Sequence, residues 1–355
     1  MRRLSLYIAL VIVLVAGVQR ASAQSLLLGA DFATLFDNTE YSTMSYAGRS
    51  ETLFSARLTP YLGVEWSQNS RLVFGADLVQ DFGHDSKFVS DVNVLMYYNL
   101  SLPKVKVFAG IFPRCEMYGL RTPLFFDRGY RYYYNRIQGV MARYGATDRS
   151  FVEFAMDYTG MRDFETREAF MLMSSGYWPI KWFNVGYDIL LGHYAKDYNP
   201  ETIDGVVDNA LLIPYIGCQP SAGGFDFDVR VSYVQALQRD RIAKDGWHFP
   251  AGGELYLAIS RWGVTLANRL YAGGQQMTFW SKYGDALYHG SPYYHTGNGI
   301  YEQLALSYSQ SFFEDTVRVE AGITLETDGW GWGTRQWLQL VVDLDYGIKL
   351  NKRSN

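Results

Sequence analysis

The sequence lacks three features that mark common classes of protein. Two cysteines in 355 residues, Cys115 and Cys218, are too few for a disulfide-built scaffold. The 32 Lys and Arg against 36 Asp and Glu give a net charge of −4, without the basic excess of a nucleic-acid-binding protein. After residue 18 no apolar run approaches the roughly 18 residues that a transmembrane helix needs. We therefore exclude disulfide miniproteins, nucleic-acid partners and helical membrane proteins.

The N-terminus has the three parts of a secretory signal. Arg2 and Arg3 form a positive region, residues 4–18 are apolar, and Ala21-Ser22-Ala23 before Gln24 has the A-x-A form of a cleavage site. We expect residues 1–23 to be removed as a signal peptide. Residues 24–355 are expected to form a single domain of an exported protein.

Hydrophobicity alternates with a period of two along the chain. In residues 338–350 every even position is apolar, whereas the odd positions include Gln339, Asp343 and Asp345, and residues 317–325 and 225–233 alternate in the same way. These segments run to about ten residues or more, whereas strands of soluble sandwiches are typically about 5–6 residues long. A tilted membrane strand needs roughly 9–11 residues and must belong to a closed sheet. The alternation therefore predicts a transmembrane β-barrel.

Turn and strand signals together predict an all-β fold, an antiparallel up-and-down barrel of about sixteen strands. Segments 167–175 and 263–274 alternate poorly, so 14 or 18 strands stay open. Long and short connections alternate, which is typical of bacterial outer-membrane barrels with long outer loops and short periplasmic turns. The predicted strands are 26–36, 52–66, 70–81, 89–102, 104–113, 136–145, 149–158, 167–175, 180–193, 209–217, 225–238, 250–261, 263–274, 299–311, 315–325 and 335–350.

Tryptophan placement agrees with a membrane barrel. The chain has 58 aromatic residues in all, namely 28 Tyr, 21 Phe and 9 Trp, and no Trp falls in the middle of a predicted strand. Aromatic girdles at the two membrane interfaces predict this distribution. Trp66, Trp178, Trp182 and Trp262 lie at the short turns, and Trp247, Trp280, Trp330, Trp332 and Trp337 lie in or beside the long loops.

In these features the chain resembles the sixteen-stranded outer-membrane porins. Its Ala-Ser-Ala sequence before Gln24 and its Tyr-rich strands are similar to porin-type proteins of Bacteroides-like bacteria. Residues 110–114 (Gly-Ile-Phe-Pro-Arg) and 135–140 (Asn-Arg-Ile-Gln-Gly-Val) are similar to the corresponding place in phosphate-selective-type porins. The resemblance implies a homotrimer and contact with outer-membrane lipid. It also implies insertion by the outer-membrane assembly machinery, for which Tyr346, Ile348 and Leu350 are expected to serve as the signal.

The connection at 114–135 is the candidate functional segment, because porins commonly fold this loop into a water-filled lumen. Arginines in a narrow passage favour anions. Alternatively, they pair with inward acids such as Glu153 and Asp157 and leave a nearly neutral passage. The predicted constriction residues are Arg114, Arg121, Arg128, Arg131, Arg136, Glu116 and Asp127. The tyrosines expected either to stack on sugar rings or only to pack the loop are Tyr130, Tyr132, Tyr133 and Tyr134.

One tripeptide, His84-Asp85-Ser86, has the His-x-Ser spacing that resembles barrel phospholipases and lipid A deacylases. It falls in a polar loop, and Lys87-Phe88 replace the Asn-Gly of the phospholipase pattern. The remaining histidines have no metal-binding spacing. We therefore expect a protein that is not an enzyme, with no catalytic residue, no metal and no cofactor.

These observations predict a porin-like channel in the bacterial outer membrane for the passive diffusion of small hydrophilic solutes, with a preference for anions. One alternative is a non-conducting barrel whose outer loops bind a surface partner or glycan. A third reading is a barrel lipid hydrolase.

Overall fold

The computed structural model describes residues 23–42, 50–66, 69–83, 87–145, 150–199, 205–295 and 298–349. The expected signal peptide lies outside these residues apart from Ala23, so its removal stays a prediction.

In the described residues, seventeen strands form one antiparallel sheet, and sixteen of them build the barrel wall. The other strand, β11, has two residues and lies in a periplasmic turn. β1 pairs with both β2 and β17, which closes the barrel. The strands are β1 (Ala23–Tyr41), β2 (Glu51–Trp66), β3 (Ser70–Asp81), β4 (Asp91–Ser101), β5 (Val105–Pro113), β6 (Arg136–Gly145), β7 (Phe151–Gly160), β8 (Ala169–Ile180), β9 (Phe183–Tyr194), β10 (Val207–Cys218), β11 (Ser221–Ala222), β12 (Phe225–Asp240), β13 (Ala251–Arg261), β14 (Val264–Gly273), β15 (Ile300–Phe312), β16 (Val317–Thr327) and β17 (Trp332–Lys349).

The period of two separates a lipid face from a lumen face. On β15, Leu304, Leu306 and Tyr308 point outward and are 41%, 49% and 42% exposed, whereas Tyr301 points inward and is fully buried. Leu338 on β17 is likewise 49% exposed. Exposed apolar side chains at this density would be unfavourable in water, but lipid covers them in a membrane barrel. The predicted fold class and the sixteen wall strands are confirmed.

One clear difference from the predicted strands is at β8. This strand continues to Ile180, past the Ser-Ser-Gly stretch that ended the predicted segment at residue 175. A Cβ on Gly176 would lie 2.6 Å from the rings of Trp178 and Tyr187, so glycine here makes room for aromatic packing and does not form a turn. The turn follows at residues 181–182.

Tryptophans occupy both rims, with two exceptions. Trp182 and Trp262 are 78% and 80% exposed at periplasmic turns, and Trp332 is 62% exposed at the outer rim. In contrast, Trp337 lies beneath the guanidinium of Arg128 in the lumen, and Trp280 stacks on His295 at 4.7 Å. The expectation of two girdles therefore fails for Trp280 and Trp337.

Two outer loops fold into the barrel. The first inward loop (residues 114–135) contains the short helix α1 (Arg128–Tyr133), and the second inward loop (residues 274–295) contains α2 (Trp280–Tyr283). In the described part of the chain, neither these helices nor any other has the length and hydropathy for crossing a bilayer. The apolar side chains of both loops join the main buried cluster: Leu120, Leu124, Phe125, Phe126, Met277, Phe279, Tyr283, Leu287, Tyr288, Tyr293 and Tyr294.

Candidate functional site

Acidic residues of the wall hold the backbone of the first inward loop. The Glu153 carboxylate accepts hydrogen bonds from the backbone N–H groups of Tyr118 (3.0 Å) and Gly119 (2.7 Å). Asp188 accepts one from the N–H of Leu120 at 2.9 Å. Because a buried carboxylate must be hydrogen-bonded or paired, these contacts satisfy the wall acids and fix the loop across the lumen at the same time.

The two inward loops contact each other inside the barrel. The N–H of Asp127 donates to the carbonyl of His289 at 2.8 Å, and the N–H of Ser291 donates to the carbonyl of Pro123 at 2.7 Å. Between them, a Cβ added at Gly290 would lie 1.9 Å from the carbonyl oxygen of Leu124. Only glycine permits this close approach, so the loops form one joined partition.

Two of the five predicted constriction arginines are paired with wall acids. Arg114 is 8% exposed, and its Nη2 lies 2.5 Å from Asp157. Its Nε also donates to the carbonyl of Tyr134 at 2.9 Å. Arg136 forms an ion pair with Asp77. At these two positions the arginines pair with inward acids, as the alternative of a nearly neutral passage predicts, because each positive charge has a buried carboxylate partner.

The other three arginines have weaker or no carboxylate contacts in the described residues. Arg121 is exposed and donates to the carbonyl of Tyr118 at 2.7 Å, while Arg131 donates to loop carbonyls. Arg128 lies 3.5 Å above the Trp337 ring and 4.0 Å from Asp37. Desolvation lowers the pKa of Arg128 to about 10, so its guanidinium stays charged at neutral pH. These three carry the unbalanced positive charge of the loop.

The predicted acids of the loop have local roles. Glu116 pairs with Lys106 at 2.7 Å. Asp127 caps α1 by accepting from the N–H of Tyr130 at 2.7 Å, which satisfies one of the free donors at the helix start. Glu116 therefore balances the charge of Lys106, and Asp127 stabilises the start of α1.

A cavity of about 1140 Å³ lies between the inward loops and the wall, on the outer side. Its lining includes Arg114, Arg136 and His289. Burial, with the nearby charge of Arg114, lowers the pKa of His289 to about 4, so this imidazole is neutral at pH 7. The cavity is therefore lined by both polar and apolar groups, and the two arginines named here are ion-paired.

The four loop tyrosines are divided between packing and exposure. Tyr130 stacks on His289 at 4.3 Å and Tyr132 is buried, whereas Tyr134 is 61% exposed beside the cavity. The hydroxyl of Tyr133 donates to Asp81 at 2.8 Å. Tyr134 is the tyrosine with the largest exposed ring, so stacking on a solute stays a prediction that concerns Tyr134 above all.

A second feature lies on the outer surface of the barrel. Four neighbouring strands place outward-facing residues side by side in one row at the outer rim: Phe170 on β8 is opposite His193, His193 is opposite Asp208, and Asp208 is opposite Arg239. Phe170 and His193 stack at 4.7 Å. Arg241, just after β12, donates twice to Asp208, at 2.8 and 2.9 Å.

An apolar row lies directly below this polar row. A groove of about 350 Å³ on the lipid side is lined by Phe170, His193, Asp208 and Arg241 together with the apolar row, and Arg239 lies beside it, opposite Asp208. Trp247 completes its upper edge and is 45% exposed. We call this feature the rim groove, and its apolar residues are Leu172, Leu191, Ala210 and Leu237.

The sequence candidates for catalysis and metal binding have little support in the described residues. His84, Asp85 and Ser86 lie outside them. His248 contacts Asp245 at 2.9 Å, but no group of three potential metal ligands occurs in the part of the chain that the structure describes.

Comparison with family models decides the family. Residues 18–199, just over half of the chain, match a family described as lipid A 3'-O-deacylase-type. The chain belongs to the lipid A 3'-O-deacylase-type family. This description names an enzyme, so the expectation that the protein is not an enzyme was wrong. The His-x-Ser tripeptide that we set aside lies inside the matched residues.

Solved structures show the same fold with little sequence identity. OpdL of Pseudomonas aeruginosa has a TM-score of 0.52 at 9% identity, covering 92% of this chain and 99% of that one. OccK11 (OpdR) of the same organism gives 0.51 at 10%, covering 90% and 96%. A loop-deletion mutant of OmpT, an outer membrane protein of Vibrio cholerae, gives 0.53 at 11%, covering 89% and 99%. The chain thus has the fold of an outer-membrane β-barrel. No curated protein matches it.

Two features of the site were missed from the sequence. The second inward loop was treated as an ordinary outer loop, although its content of Met, Leu, Phe, Trp and Tyr is too apolar for a solvated segment. The rim groove was missed because its residues come from four strands. Alternation shows on which face of the barrel a residue lies, but not which residues of other strands lie beside it.

Proposed function

We propose that this family member is an outer-membrane hydrolase that removes an ester-linked acyl chain from lipid A. The observation that carries the proposal is the family match over residues 18–199. The barrel supports it, because a membrane-embedded protein meets an acylated lipid directly at its outer surface.

The tripeptide His84-Asp85-Ser86 supplies a base and a nucleophile for this reaction. In the proposed mechanism His84 takes the proton of the Ser86 hydroxyl as the oxygen attacks the ester carbonyl. The lipid alcohol leaves with that proton, and the acyl chain stays on Ser86. Water, activated by His84, then releases the fatty acid and restores the serine.

The described residues just before the tripeptide lie on the lipid side of the outer rim. The Phe82 ring contacts Phe54 at 4.7 Å, and Phe54 contacts Phe36 at 5.8 Å. Phe54 and Phe82 are 47% and 46% exposed. The described chain at Phe82 therefore lies among aromatic rings that face the outer leaflet, where the ester bonds of a lipid lie.

The test is mass spectrometry of lipid A after incubation with the purified protein in mixed micelles. We expect the loss of one acyl chain, with the fatty acid recovered in equal amount. Ser86→Ala and His84→Ala should abolish the reaction. Ser309→Ala, an exposed serine near the periplasmic end of β15, is the matched control and should retain it. Lipid A of unchanged mass with the unmodified protein would refute the proposal.

A second candidate function, passage of small hydrophilic solutes with a preference for anions, is favoured by the lumen. The observation behind passage is the cavity of about 1140 Å³ above the first inward loop. The anion preference rests on Arg121, Arg128 and Arg131, which have at most a distant carboxylate contact in the described residues. Because two loops occupy the lumen, we expect small conductance steps in a planar bilayer. If the protein shows the heat-modifiable electrophoretic mobility of a folded barrel but opens no channels, this candidate is refuted and the first is unaffected.

A further inference from the structure

The rim groove combines two kinds of surface that a membrane lipid needs. Its lower row is aliphatic and faces the acyl chains of the outer leaflet. Its upper row is polar and lies at the outer ends of β9, β10 and β12. An Arg or Lys side chain on the lipid face of such a barrel is far less costly near the interface than at the midplane. The upper row therefore marks the level of the lipid headgroups.

Positive charge exceeds negative charge once Arg241 is counted together with the upper row. Asp208 is engaged by Arg241, whose side chain is 51% exposed. Arg239 has no carboxylate within ion-pair distance in the described residues, and its guanidinium lies 5.8 Å from the Trp247 ring. Two guanidinium groups thus face one carboxylate, and their unused N–H donors point to an anionic ligand.

We propose that the rim groove binds the phosphorylated headgroup of one lipid A molecule. Arg239 and Arg241 contact a phosphate, because guanidinium groups hold phosphate oxygens with paired hydrogen bonds. The apolar row of Leu172, Leu191, Ala210 and Leu237 takes an acyl chain. The choice of lipid A over other anionic lipids rests on the proposed function, and binding by the groove does not require hydrolysis.

The position of the groove at the outer rim also distinguishes it from arginine–tryptophan pairs that contact membrane lipid elsewhere on the barrel. An arginine beside a tryptophan occurs at the opposite rim, where Arg261 lies 3.9 Å from the Trp262 ring. That pair lies at a periplasmic turn, on the side away from the outer leaflet. Arg261 therefore provides a matched control with the same chemistry on the wrong side of the membrane.

The test is native mass spectrometry of the purified protein titrated with lipid A, with lipid A lacking both phosphates, and with phosphatidylglycerol. We expect one tightly bound lipid A, and at least about tenfold weaker binding for Arg239→Gln combined with Arg241→Gln. Lipid A without phosphates should bind the unmodified protein as weakly as lipid A binds the double variant.

A gain-of-binding variant guards against loss through misfolding. Asp208→Asn removes the carboxylate that engages Arg241 and should tighten binding of phosphorylated lipid A, whereas Arg261→Gln should leave it unchanged. Equal binding by the double variant, an equal loss for Arg261→Gln, or phosphatidylglycerol bound as tightly as lipid A would each overturn the proposal.

The two proposals fail separately. Lipid A bound through the arginines but never deacylated would leave the groove standing and refute the hydrolase. If the unmodified protein deacylates lipid A but the double variant binds lipid A as tightly as the unmodified protein does, the groove is refuted and the hydrolase stands.

Discussion

Arginines of the lumen and arginines of the outer rim carry the same charge in opposite surroundings. Arg114 is 8% exposed and pairs with Asp157, which is 1% exposed, whereas the Arg241 side chain is 51% exposed in its pair with Asp208. Removing one member of a buried pair leaves an uncompensated charge, while an exposed pair is already solvated. The comparison teaches that a buried arginine such as Arg114 maintains structure, whereas a solvated arginine such as Arg241 contributes little to it.

The largest expected effect is on stability, from Arg114→Met. The change leaves Asp157 buried without its partner and removes the hydrogen bond to the Tyr134 carbonyl, so we expect a loss of about 3–5 kcal/mol. Urea unfolding of the detergent-solubilised protein measures it. Adding Asp157→Leu should restore part of the loss. A stability equal to that of the unmodified protein would show that the lumen pair is no different from a surface pair.

The next effect comes from the contact between the two inward loops. Gly290→Ala places a Cβ against the Leu124 carbonyl and should cost about 1–3 kcal/mol while raising the conductance, because the loops must separate. Gly129→Ala, in α1, is the control, since its Cβ would meet atoms no closer than 3.5 Å. Both quantities are measured on the same preparations, and identical behaviour of the two variants would contradict the joined partition.

Acid should loosen the same contact. His289 has a pKa of about 4 in the folded protein and an ordinary value of 6.5, so the unfolded state binds more protons between these values. Stability is therefore lost as the pH falls from about 6.5 to 4. We expect the protection factors of the inward-loop amides, which correct for the intrinsic pH dependence of exchange, to fall over this window, and His289→Gln to remove that fall. Protection factors that stay constant over this window in the unmodified protein would contradict the prediction.

Ion selectivity tests Arg121, Arg128 and Arg131, the three lumen arginines for which the described residues supply no close carboxylate partner. Reversal potentials in a salt gradient should show anion preference, which shrinks toward 1 M salt, where the screening length is about 3 Å. Arg121→Glu with Arg128→Glu should abolish or reverse the preference. Cation preference in the unmodified protein would mean that the wall acids set the field.

The smallest effect is expected at the rim. Arg241→Gln should change the free energy of unfolding by about 0–1 kcal/mol, because the ion pair with Asp208 is exposed. The same urea titration as for Arg114→Met measures it. A loss as large as that of the lumen variant would remove the contrast between the two regions.

Much of the barrel was predictable from residue order. The alternation along residues 338–350 assigns one face to lipid and one to water, and β17 is a strand from Trp332 to Lys349 in the structure. The turn at Trp262-Gly263 was also recognisable, and both residues have positive φ, as a two-residue hairpin turn requires. In contrast, the end of β8 was misplaced, because Gly176 looks like a turn residue until the rings beside it are known.

The sequence by itself determined the strands, their faces and their order, because a membrane barrel imposes a local period of two on every segment. Only the tertiary structure decided which arginines have partners, since Arg114 and Asp157 meet across 43 residues of chain. It also decided that two outer loops meet inside the lumen, and that His193, Asp208 and Arg239 form one row. Such contacts join residues far apart in the chain, and they depend on register and loop direction, which no local pattern encodes.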